Sequence, residues 1–273
     1  MTDHPPGTLR SHYEQDVDED LRLRRGLGRL ELARVQEVVR RSVPRGGGLA
    51  VVDVGGATGV HAEWLLDDGH DVHLVDLLPR HVDRARERLG ARGSFRAEVG
   101  DARHLPREDA TVDVVLVLGP LYHLQERSDR VAVWREARRV LVPGGVVVAM
   151  AISRFASLMD GLAQSYLFEP DFRSIVEADL ATGRHTNPTG DPRWFTDAYF
   201  HHPDELPAEA EEAGLDVVET VGVEGMVHWM KHLAPRWEDP ADRRVLLESA
   251  RAIEHEPTLL GLSSHLLTVA RRP

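Results

Sequence analysis

Cysteine is absent from the 273-residue chain, and lysine occurs once, at Lys231. Without cysteine, the chain can neither hold an iron–sulfur cluster through thiolates nor attack a substrate with a thiolate nucleophile. A chain of this length can still bury a sizeable apolar core without disulfide bonds or a structural metal. The missing residue type therefore removes two kinds of chemistry without limiting the size of the fold.

Long apolar runs are also missing. No segment approaches the roughly 20 consecutive apolar residues that a membrane-spanning helix needs. The first residues, Met1–Gly7, show no basic stretch followed by an apolar one, which a secretory signal would have. We therefore expect a cytoplasmic protein with no membrane partner.

Positive charge is in deficit, since the formal net charge is −12. An acidic protein repels a phosphate backbone, so we expect no nucleic-acid partner. Arginines do cluster between positions 22 and 45, but acidic residues are interleaved with them, as on a solvated helix face. A small molecule is the partner that this charge favours.

The spacing of apolar residues predicts a helical N-terminal region followed by alternating short strands and helices. Strands are predicted at 49–54, 71–76, 94–99, 112–118, 146–152, 215–223 and 265–270. Helices are predicted at 13–43 with a break at Gly26 and Gly28, and at 60–66, 79–92, 128–141, 155–180, 203–213 and 243–254. Residues 181–202 are predicted to form a loop. This alternation indicates an α/β fold with seven strands, mostly parallel, and helices on both faces, with the ligand site at the carboxyl ends of the strands.

A glycine-rich segment, Asp53-Val-Gly-Gly-Ala-Thr-Gly59, lies between the first strand and the next helix. Glycines there allow a tight turn and let the backbone approach a nucleotide-like ligand. The dinucleotide fingerprint Gly-x-Gly-x-x-Gly would require glycine where Ala57 and Val60 stand, and a P-loop would require a lysine. Asp76 ends the second strand, where a buried carboxylate needs a partner.

The pattern Asp53-x-Gly55-x-Ala57-x-Gly59 resembles the Asp/Glu-x-Gly-x-Gly-x-Gly motif of class I S-adenosylmethionine-dependent methyltransferases, with Ala57 in place of the central glycine. Further similar segments follow in order at Gly100-Asp-Ala102, 113–120 and 138–145, so the resemblance covers residues 49–152. It implies a Rossmann-like sheet, with Asp76 binding both ribose hydroxyls and Asp101 contacting the adenine. The implied cofactor-binding residues are Asp53, Gly55, Gly56, Ala57, Gly59, Asp76, Leu77, Asp101, Ala102, Leu118 and Gly119.

The resemblance also implies a division of the chain into an N-terminal helical lid, 1–45, and a cofactor-binding methyltransferase domain, 46–273. Within the second, the insertion 154–203 would form a substrate cap. Tyr13 and Arg34 are further candidate cofactor contacts from the lid. An ordinary role in helix packing is an equally good interpretation of both residues.

Methyl transfer requires the acceptor atom to be held in line with the sulfonium methyl, and a protonated acceptor also needs a base. Tyr122 and His123 follow the fourth strand and are the first catalytic candidates. His185 and His201 in the insertion are the others, because imidazole titrates near neutral pH. Candidate substrate-binding residues are Arg184, Asn187, Trp194, Tyr199 and His228. Simple packing of the aromatic residues is the alternative interpretation.

A metal site is not expected. His201 and His202 are adjacent, and adjacent histidines of a regular element rarely point at one ion. The sequence thus predicts S_N2 transfer from S-adenosylmethionine to an oxygen, nitrogen or carbon atom of a small molecule, a specialised bacterial metabolite, with S-adenosylhomocysteine as product. A protein or RNA methyltransferase, or a cofactor-binding partner protein without catalysis, are the alternatives. The oligomeric state stays open, with a homodimer as one option.

Overall fold

The computed structural model describes residues 19–230 and 233–273, with side chains from residue 22 onwards. By their contacts, the described residues form two compact units. The first unit contains residues 19–34, 151–204, 221–230 and 233–266, and the second contains 35–150, 205–220 and 267–273. Among the helices of the described residues, none combines the length and the apolar character that crossing a membrane requires.

Strands and helices alternate through the middle of the chain. The strands are β1 Ala50–Val54, β2 Asp71–Asp76, β3 Phe95–Val99, β4 Val112–Val117, β5 Leu141–Ser153, β6 Arg184–His185, β7 Ala198–His201, β8 Asp216–Gly222 and β9 His265–Arg271. The helices are α1 Glu19–Arg24, α2 Gly28–Ser42, α3 Val60–Asp67, α4 Pro79–Leu89, α5 Arg127–Val140, α6 Ala156–Ala163, α7 Pro170–Thr182, α8 Glu205–Glu212, α9 Leu233–Glu238 and α10 Pro240–Ile253. Short 3-10 helices lie at Pro120–His123, Tyr166–Phe168, Gly225–Trp229 and Leu260–Leu262.

The second unit is built on parallel strands in the order β3-β2-β1-β4-β5. β1 and β4 are rich in valine and buried on both faces, as expected for a strand that is covered by helices on each side. Because these strands are parallel, the carboxyl ends of β1, β2 and β4 lie at the same edge of the sheet. That edge receives the glycine-rich loop, Asp76 and the segment after β4.

β9 runs antiparallel beside β5. The Gly144 amide donates to the Arg272 carbonyl at 2.8 Å, and the Arg272 amide donates to the Gly145 carbonyl at 3.0 Å. β9 also pairs with β8. The antiparallel strand explains why β5 begins at Leu141 rather than at 146. The Pro-Gly-Gly sequence at 143–145 lies between the predicted helix 128–141 and the predicted strand 146–152, yet the extended chain passes through it.

The first unit has two apolar clusters of its own. One is formed by the α7 residues Phe172, Ile175 and Val176 with Trp194. The other contains six buried residues from α2, from the 3-10 helix at 225–229, and from α9 and α10: Leu30, Val227, Leu233, Trp237, Leu246 and Ala250. β7 pairs in parallel with the end of β5 and antiparallel with β6.

The α/β class and the mostly parallel sheet are confirmed, but the described residues contain nine strands instead of seven. The two additional strands, β6 and β7, lie in the predicted loop 181–202, so that prediction was wrong. The predicted helix 155–180 was also wrong, because it is interrupted between α6 and α7. Ser165 adopts a left-handed conformation with φ +67°, and Pro170 starts a new helix at a position where proline is favourable.

Candidate functional site

The glycine-rich loop turns sharply between β1 and α3. Gly55, Ala57 and Gly59 all have positive φ, at +69°, +46° and +88°. Glycine adopts this conformation without a steric penalty, whereas an L-residue such as alanine is strained by roughly 1–2 kcal/mol. Ala57 is therefore a locally strained residue in the middle of the loop.

Two of the loop glycines are also required by close packing. A Cβ on Gly55 would lie 2.7 Å from Cδ of Pro120, which follows β4. A Cβ on Gly56 would lie 2.5 Å from Oδ2 of Asp53. The loop is thus packed against the segment after β4 on one side and against the Asp53 carboxylate on the other.

Asp76, at the end of β2, is bonded to the loop. Its Oδ2 accepts the Ala57 amide at 2.9 Å, and its Oδ1 accepts the Leu78 amide at 2.9 Å. His81 Nδ1 lies 3.1 Å from the same Oδ1. The side chain is largely buried, yet a carboxylate has about four acceptor positions, so these contacts leave it able to accept more hydrogen bonds. Leu77, the next residue, is exposed.

Asp53 lies beneath the loop in an unusual electrostatic environment. Burial, and then the nearby charge of Asp76, raise its pKa to about 7, against a lowering by the Ala62 backbone. Its Oδ2 is buried and accepts no hydrogen bond from the residues that the structure describes. Two carboxyl groups therefore share one small region, where an additional cationic group would be stabilised.

Asp101 follows β3 and is held by a local turn. Its carboxylate accepts the Arg103 amide at 2.8 Å and the Arg103 guanidinium at 2.7 Å, and Arg103 also pairs with Asp129 at 3.3 Å. Burial would raise the pKa of Asp101, but the hydrogen bonds from Arg103 outweigh it and keep the pKa below its usual range. Asp101 thus stays ionised and caps its own turn, and Ala102 is part of the same turn.

The segment after β4 carries four of the predicted site residues. Leu118 and Gly119 lead into the 3-10 helix that contains Tyr122 and His123. The Tyr122 ring is buried and lies 4.7 Å from the His123 ring, at an angle of 63°, and its hydroxyl is 3.5 Å from the Leu118 carbonyl. In the second unit, the structure thus brings the loop, Asp53, Asp76 and the start of this segment together.

His185, in the first unit, is enclosed by protein atoms. Its Nδ1 lies 2.9 Å from Asp179 Oδ2, and its Nε2 lies 3.2 Å from the Phe195 carbonyl oxygen. The ring stacks on Phe200 at 4.8 Å. Since both ring nitrogens have protein partners, His185 connects β6, α7 and the following loop.

Asn187 organises the loop between β6 and β7. Its side-chain amide donates to the Asp191 carbonyl at 2.9 Å and to the Trp194 carbonyl at 3.3 Å. Its Oδ1 accepts the Thr189 hydroxyl at 2.9 Å and the Gly190 amide at 3.1 Å. These contacts use the polar atoms of the side chain within the loop itself.

The remaining insertion residues are mostly buried. Trp194 packs on Phe172, with ring centroids 5.3 Å apart. The Tyr199 hydroxyl is 3.2 Å from the Arg154 guanidinium, and its ring lies edge-on to the buried His201 at 4.9 Å. Arg184 is exposed. Every residue of β7 is buried, including Tyr199 and His201.

Arg34 is fully buried in the first unit. Its Nε donates to the Val223 carbonyl at 3.0 Å, and its guanidinium pairs with Glu254. These contacts favour the second interpretation of Arg34, a role in packing, over a contact with the cofactor. Tyr13 lies outside the described residues.

A charged cluster in the first unit was missed by the sequence analysis. Glu224 Oε1 lies 2.6 Å from His265 Nδ1, while the Arg22 guanidinium binds Glu31 at 2.6 and 2.8 Å. Burial alone would lower the pKa of His265, but Glu224 and then Glu31 raise it to about 9, while the pKa of Glu224 is lowered. One atom each of Glu31, Glu224 and His265 lies close enough to the others to hold a metal ion. His265 Nδ1 is within hydrogen-bond distance of Glu224, whereas it lies 3.9 Å from Oε2 of Glu31. Burial keeps the pKa of nearby His228 below its usual range.

Comparison with known proteins identifies the family. A family profile described as a methyltransferase domain matches residues 51–145. The ubiquinone/menaquinone biosynthesis C-methyltransferase UbiE of Ralstonia pickettii is 30% identical over 183 residues, which are 63% of this chain and 69% of that protein. The chain belongs to the class I S-adenosylmethionine-dependent methyltransferases.

Other methyltransferases match over a shorter part of their length. Methyltransferase GfsG of Streptomyces halstedii is 30% identical over 185 residues, 64% of this chain and 56% of that protein. Demethylmenaquinone methyltransferase of Deinococcus radiodurans is 34% identical over 122 residues, 44% of this chain and 49% of that protein. The chain thus spans about half the length of these two relatives.

Solved structures show the fold of this methyltransferase family with low sequence identity. A geranyl diphosphate methyltransferase in complex with GPP and sinefungin has a TM-score of 0.57 and 18% identity, over 93% of this chain and 83% of that chain. The [4+2]-cyclase SpnF has a TM-score of 0.54 and 19% identity, over 88% and 81%. Since one of these is named as a cyclase, the fold alone does not define the reaction.

The residues of the second unit fit the cofactor of this methyltransferase family. S-adenosylmethionine carries two vicinal ribose hydroxyls and a cationic sulfonium. Asp76 retains acceptor capacity for hydroxyl donors, and the orphaned Oδ2 of Asp53 marks a region that favours positive charge. The residues predicted for this site lie close to β1 and β2 in the sequence. The cluster of Glu31, Glu224 and His265, which was not predicted, joins residues that are far apart in the sequence.

Proposed function

We propose that this methyltransferase transfers a methyl group from S-adenosylmethionine to an oxygen, nitrogen or carbon atom of a small molecule by S_N2 displacement. The observation that carries the proposal is the buried Asp76 carboxylate, which is bonded to the strained Ala57 of the glycine-rich loop. This contact couples the acid at the end of β2 to the loop whose backbone approaches the ligand. The strain at Ala57 is maintained because the loop is fixed on both sides.

We assign the cofactor to residues of the second unit. Asp76 would accept the ribose hydroxyls, and Leu77 would cover the sugar. The loop, the turn after β3 and the start of the segment after β4 would complete the contacts, through Asp53, Gly55, Gly56, Ala57, Gly59, Asp101, Ala102, Leu118 and Gly119. When bound, S-adenosylmethionine supplies a methyl group activated by its sulfonium. Tyr13 remains a proposed lid contact, whereas the packing role explains Arg34 better, because its guanidinium is buried and bound to Glu254.

We assign the acceptor side to His123 and Tyr122 first. The 3-10 helix fixes both rings, and the edge-on contact with Tyr122 limits the rotation of the His123 ring. His123 would hold or remove the proton of the acceptor, and the Tyr122 ring would shape its binding site. His201 and His185 would support the acceptor side indirectly, because His201 is buried and both ring nitrogens of His185 have protein partners.

The proposed substrate is a specialised bacterial metabolite. The net charge of −12 disfavours nucleic acid, and two of the relatives are named for quinones, which are small molecules. In this proposal, residues 1–45 act as a lid and the insertion 154–203 as a substrate cap. Arg184, Asn187, Trp194, Tyr199 and His228 would contribute to acceptor binding directly or by shaping the cap.

Calorimetry with S-adenosylhomocysteine tests the cofactor assignment. The Asp76→Asn variant lacks the charged acceptor. The Kd of this variant for S-adenosylhomocysteine should be about tenfold higher or more, as expected for hydrogen bonds to a charged group. Asp71→Asn is the matched control, because Asp71 is the exposed first residue of the same strand. An unchanged affinity in Asp76→Asn, or no binding by the folded wild-type protein, would refute the assignment.

Labelled S-adenosylmethionine and a panel of quinols, phenols and isoprenoid diphosphates test methyl transfer itself. We expect label in at least one small molecule and a loss of that label in the His123→Gln variant. Label in protein or RNA instead would replace the proposed substrate class. Binding of the cofactor without transfer to any of these would indicate a non-catalytic partner protein.

A further inference from the structure

The guanidinium of Arg130, on α5, is fully buried and bonded in two directions. On one side, its Nε and one terminal nitrogen lie 2.9 and 2.8 Å from Oε1 of the buried Glu209, on α8. On the other side, its second terminal nitrogen donates to the Leu124 and Gln125 carbonyl oxygens, both at 2.9 Å. All four groups belong to the second unit.

The two carbonyl groups directly follow the 3-10 helix that carries Tyr122 and His123. The same segment is fixed at its beginning, where Pro120 packs against Gly55. Within the segment, the Leu124 amide bonds back to the Leu121 carbonyl at 3.2 Å. Arg130 therefore holds the far end of the segment 119–125 through its contacts with these two carbonyl groups.

A contribution to folding stability does not by itself explain why Arg130 and Glu209 form a buried ion pair. Removing two charges from water is costly, and an apolar pair of similar volume is often at least as stable. What an apolar pair cannot do is hold two backbone carbonyls at defined positions. The planar fork of arginine can do so while it binds a carboxylate, and lysine lacks this geometry.

We propose that Arg130 and Glu209 form a positioning pair that holds the segment 119–125, and with it the His123 ring, in its working geometry. Neither residue touches substrate or cofactor in this proposal. Glu209 orients the guanidinium, the guanidinium fixes the Leu124 and Gln125 carbonyls, and these fix the end of the 3-10 helix. The catalytic meaning of the pair rests on the proposed function, but the positioning is measurable without any acceptor.

Hydrogen exchange of the segment 119–125 in the full chain tests the positioning, with Glu209→Gln and Arg130→Lys as variants. Both should speed exchange of the Leu124 amide by about tenfold or more, since local opening becomes easier. Glu212→Gln is the matched control. It removes an exposed partner of Arg127 on the same two helices, and it should leave exchange in the segment unchanged.

The imidazole of His123 provides a second readout, by NMR titration of selectively labelled protein. We expect a shifted or broadened His123 resonance in Glu209→Gln and an unchanged one in Glu212→Gln. Calorimetry with S-adenosylhomocysteine should give a Kd within about threefold of wild type, because the proposed cofactor contacts Leu118 and Gly119 lie at the start of the segment, which Pro120 holds against Gly55. The proposal is overturned if Glu209→Gln and Arg130→Lys only lower the melting temperature and leave both the exchange and the His123 resonance as in the control. A changed His123 resonance in a protein that transfers no methyl group would uphold the positioning and refute the proposed function.

Discussion

The charge cluster around His265 makes the stability of the protein depend on pH in a defined window. The pKa of His265 is raised from 6.5 to about 9, chiefly because Glu224 and Glu31 outweigh its burial. In the folded state the proton is therefore held between pH 6.5 and 9, whereas the unfolded chain releases it. The free energy of unfolding gains its full contribution below pH 6.5 and loses it as the pH rises through 9.

The size of the effect follows from the shift. One pKa unit corresponds to about 1.4 kcal/mol, so the shift of His265 is equivalent to roughly 3 kcal/mol. The slope should be close to about −1.4 kcal/mol for each pH unit between about 7 and 9. Arg22 and His228 also lie near the cluster, and His228, whose pKa is lowered by burial, is neutral throughout this window.

Denaturant unfolding of wild type and His265→Gln at several pH values from about 6.5 to 10 tests this reasoning. Wild type should be the more stable by about 3 kcal/mol at the acid end, and the difference should shrink towards zero at the alkaline end. Exposed His255 offers a control, and His255→Gln should keep the wild-type slope. Parallel curves for wild type and His265→Gln between about pH 7 and 9 would refute the electrostatic account of the cluster.

Two further predictions concern the cofactor region. Ala57→Gly should raise the free energy of unfolding by up to about 1 kcal/mol, because glycine relieves the left-handed strain. Denaturant unfolding measures this change, with Ala91→Gly at an exposed position as the control. A loss of stability in Ala57→Gly would mean that Ala57 is not strained. Folding raises the pKa of Asp53 from 3.8 to about 7, so wild-type stability should fall by at most about 4 kcal/mol as the pH rises through this range. Asp53→Asn should abolish that slope in the same assay, and a slope that persists in the variant would assign the effect to another group.

The glycine-rich loop and the end of β2 were predictable because the relevant residues are close in sequence. Gly55 to Gly59 follow an apolar strand directly, and Asp76 ends the next one, so one βαβ unit carries the pattern. The strain at Ala57 was less accessible. A single alanine in a glycine motif indicates a departure from the pattern, but only the torsion of the folded loop shows its cost.

The contacts of polar residues over long sequence distances could not be predicted. Arg130 and Glu209 are each one charged residue on an amphipathic helix, and 79 positions separate them. Glu224 and His265 come together through the pairing of β8 and β9, which no local pattern encodes. The strands β6 and β7 were missed for a related reason, since β6 has two residues and depends on its partner.

The contact between Gly55 and Pro120 also has a consequence for evolution and engineering. A side chain on Gly55 would collide with the proline ring, so the two positions are expected to show epistasis. Variants that enlarge the first would be accepted only after the second has become smaller. Libraries that aim to change acceptor preference through the segment after β4 should therefore keep Pro120 constant and randomise its neighbours. A change at Pro120 would also disturb the glycine-rich loop.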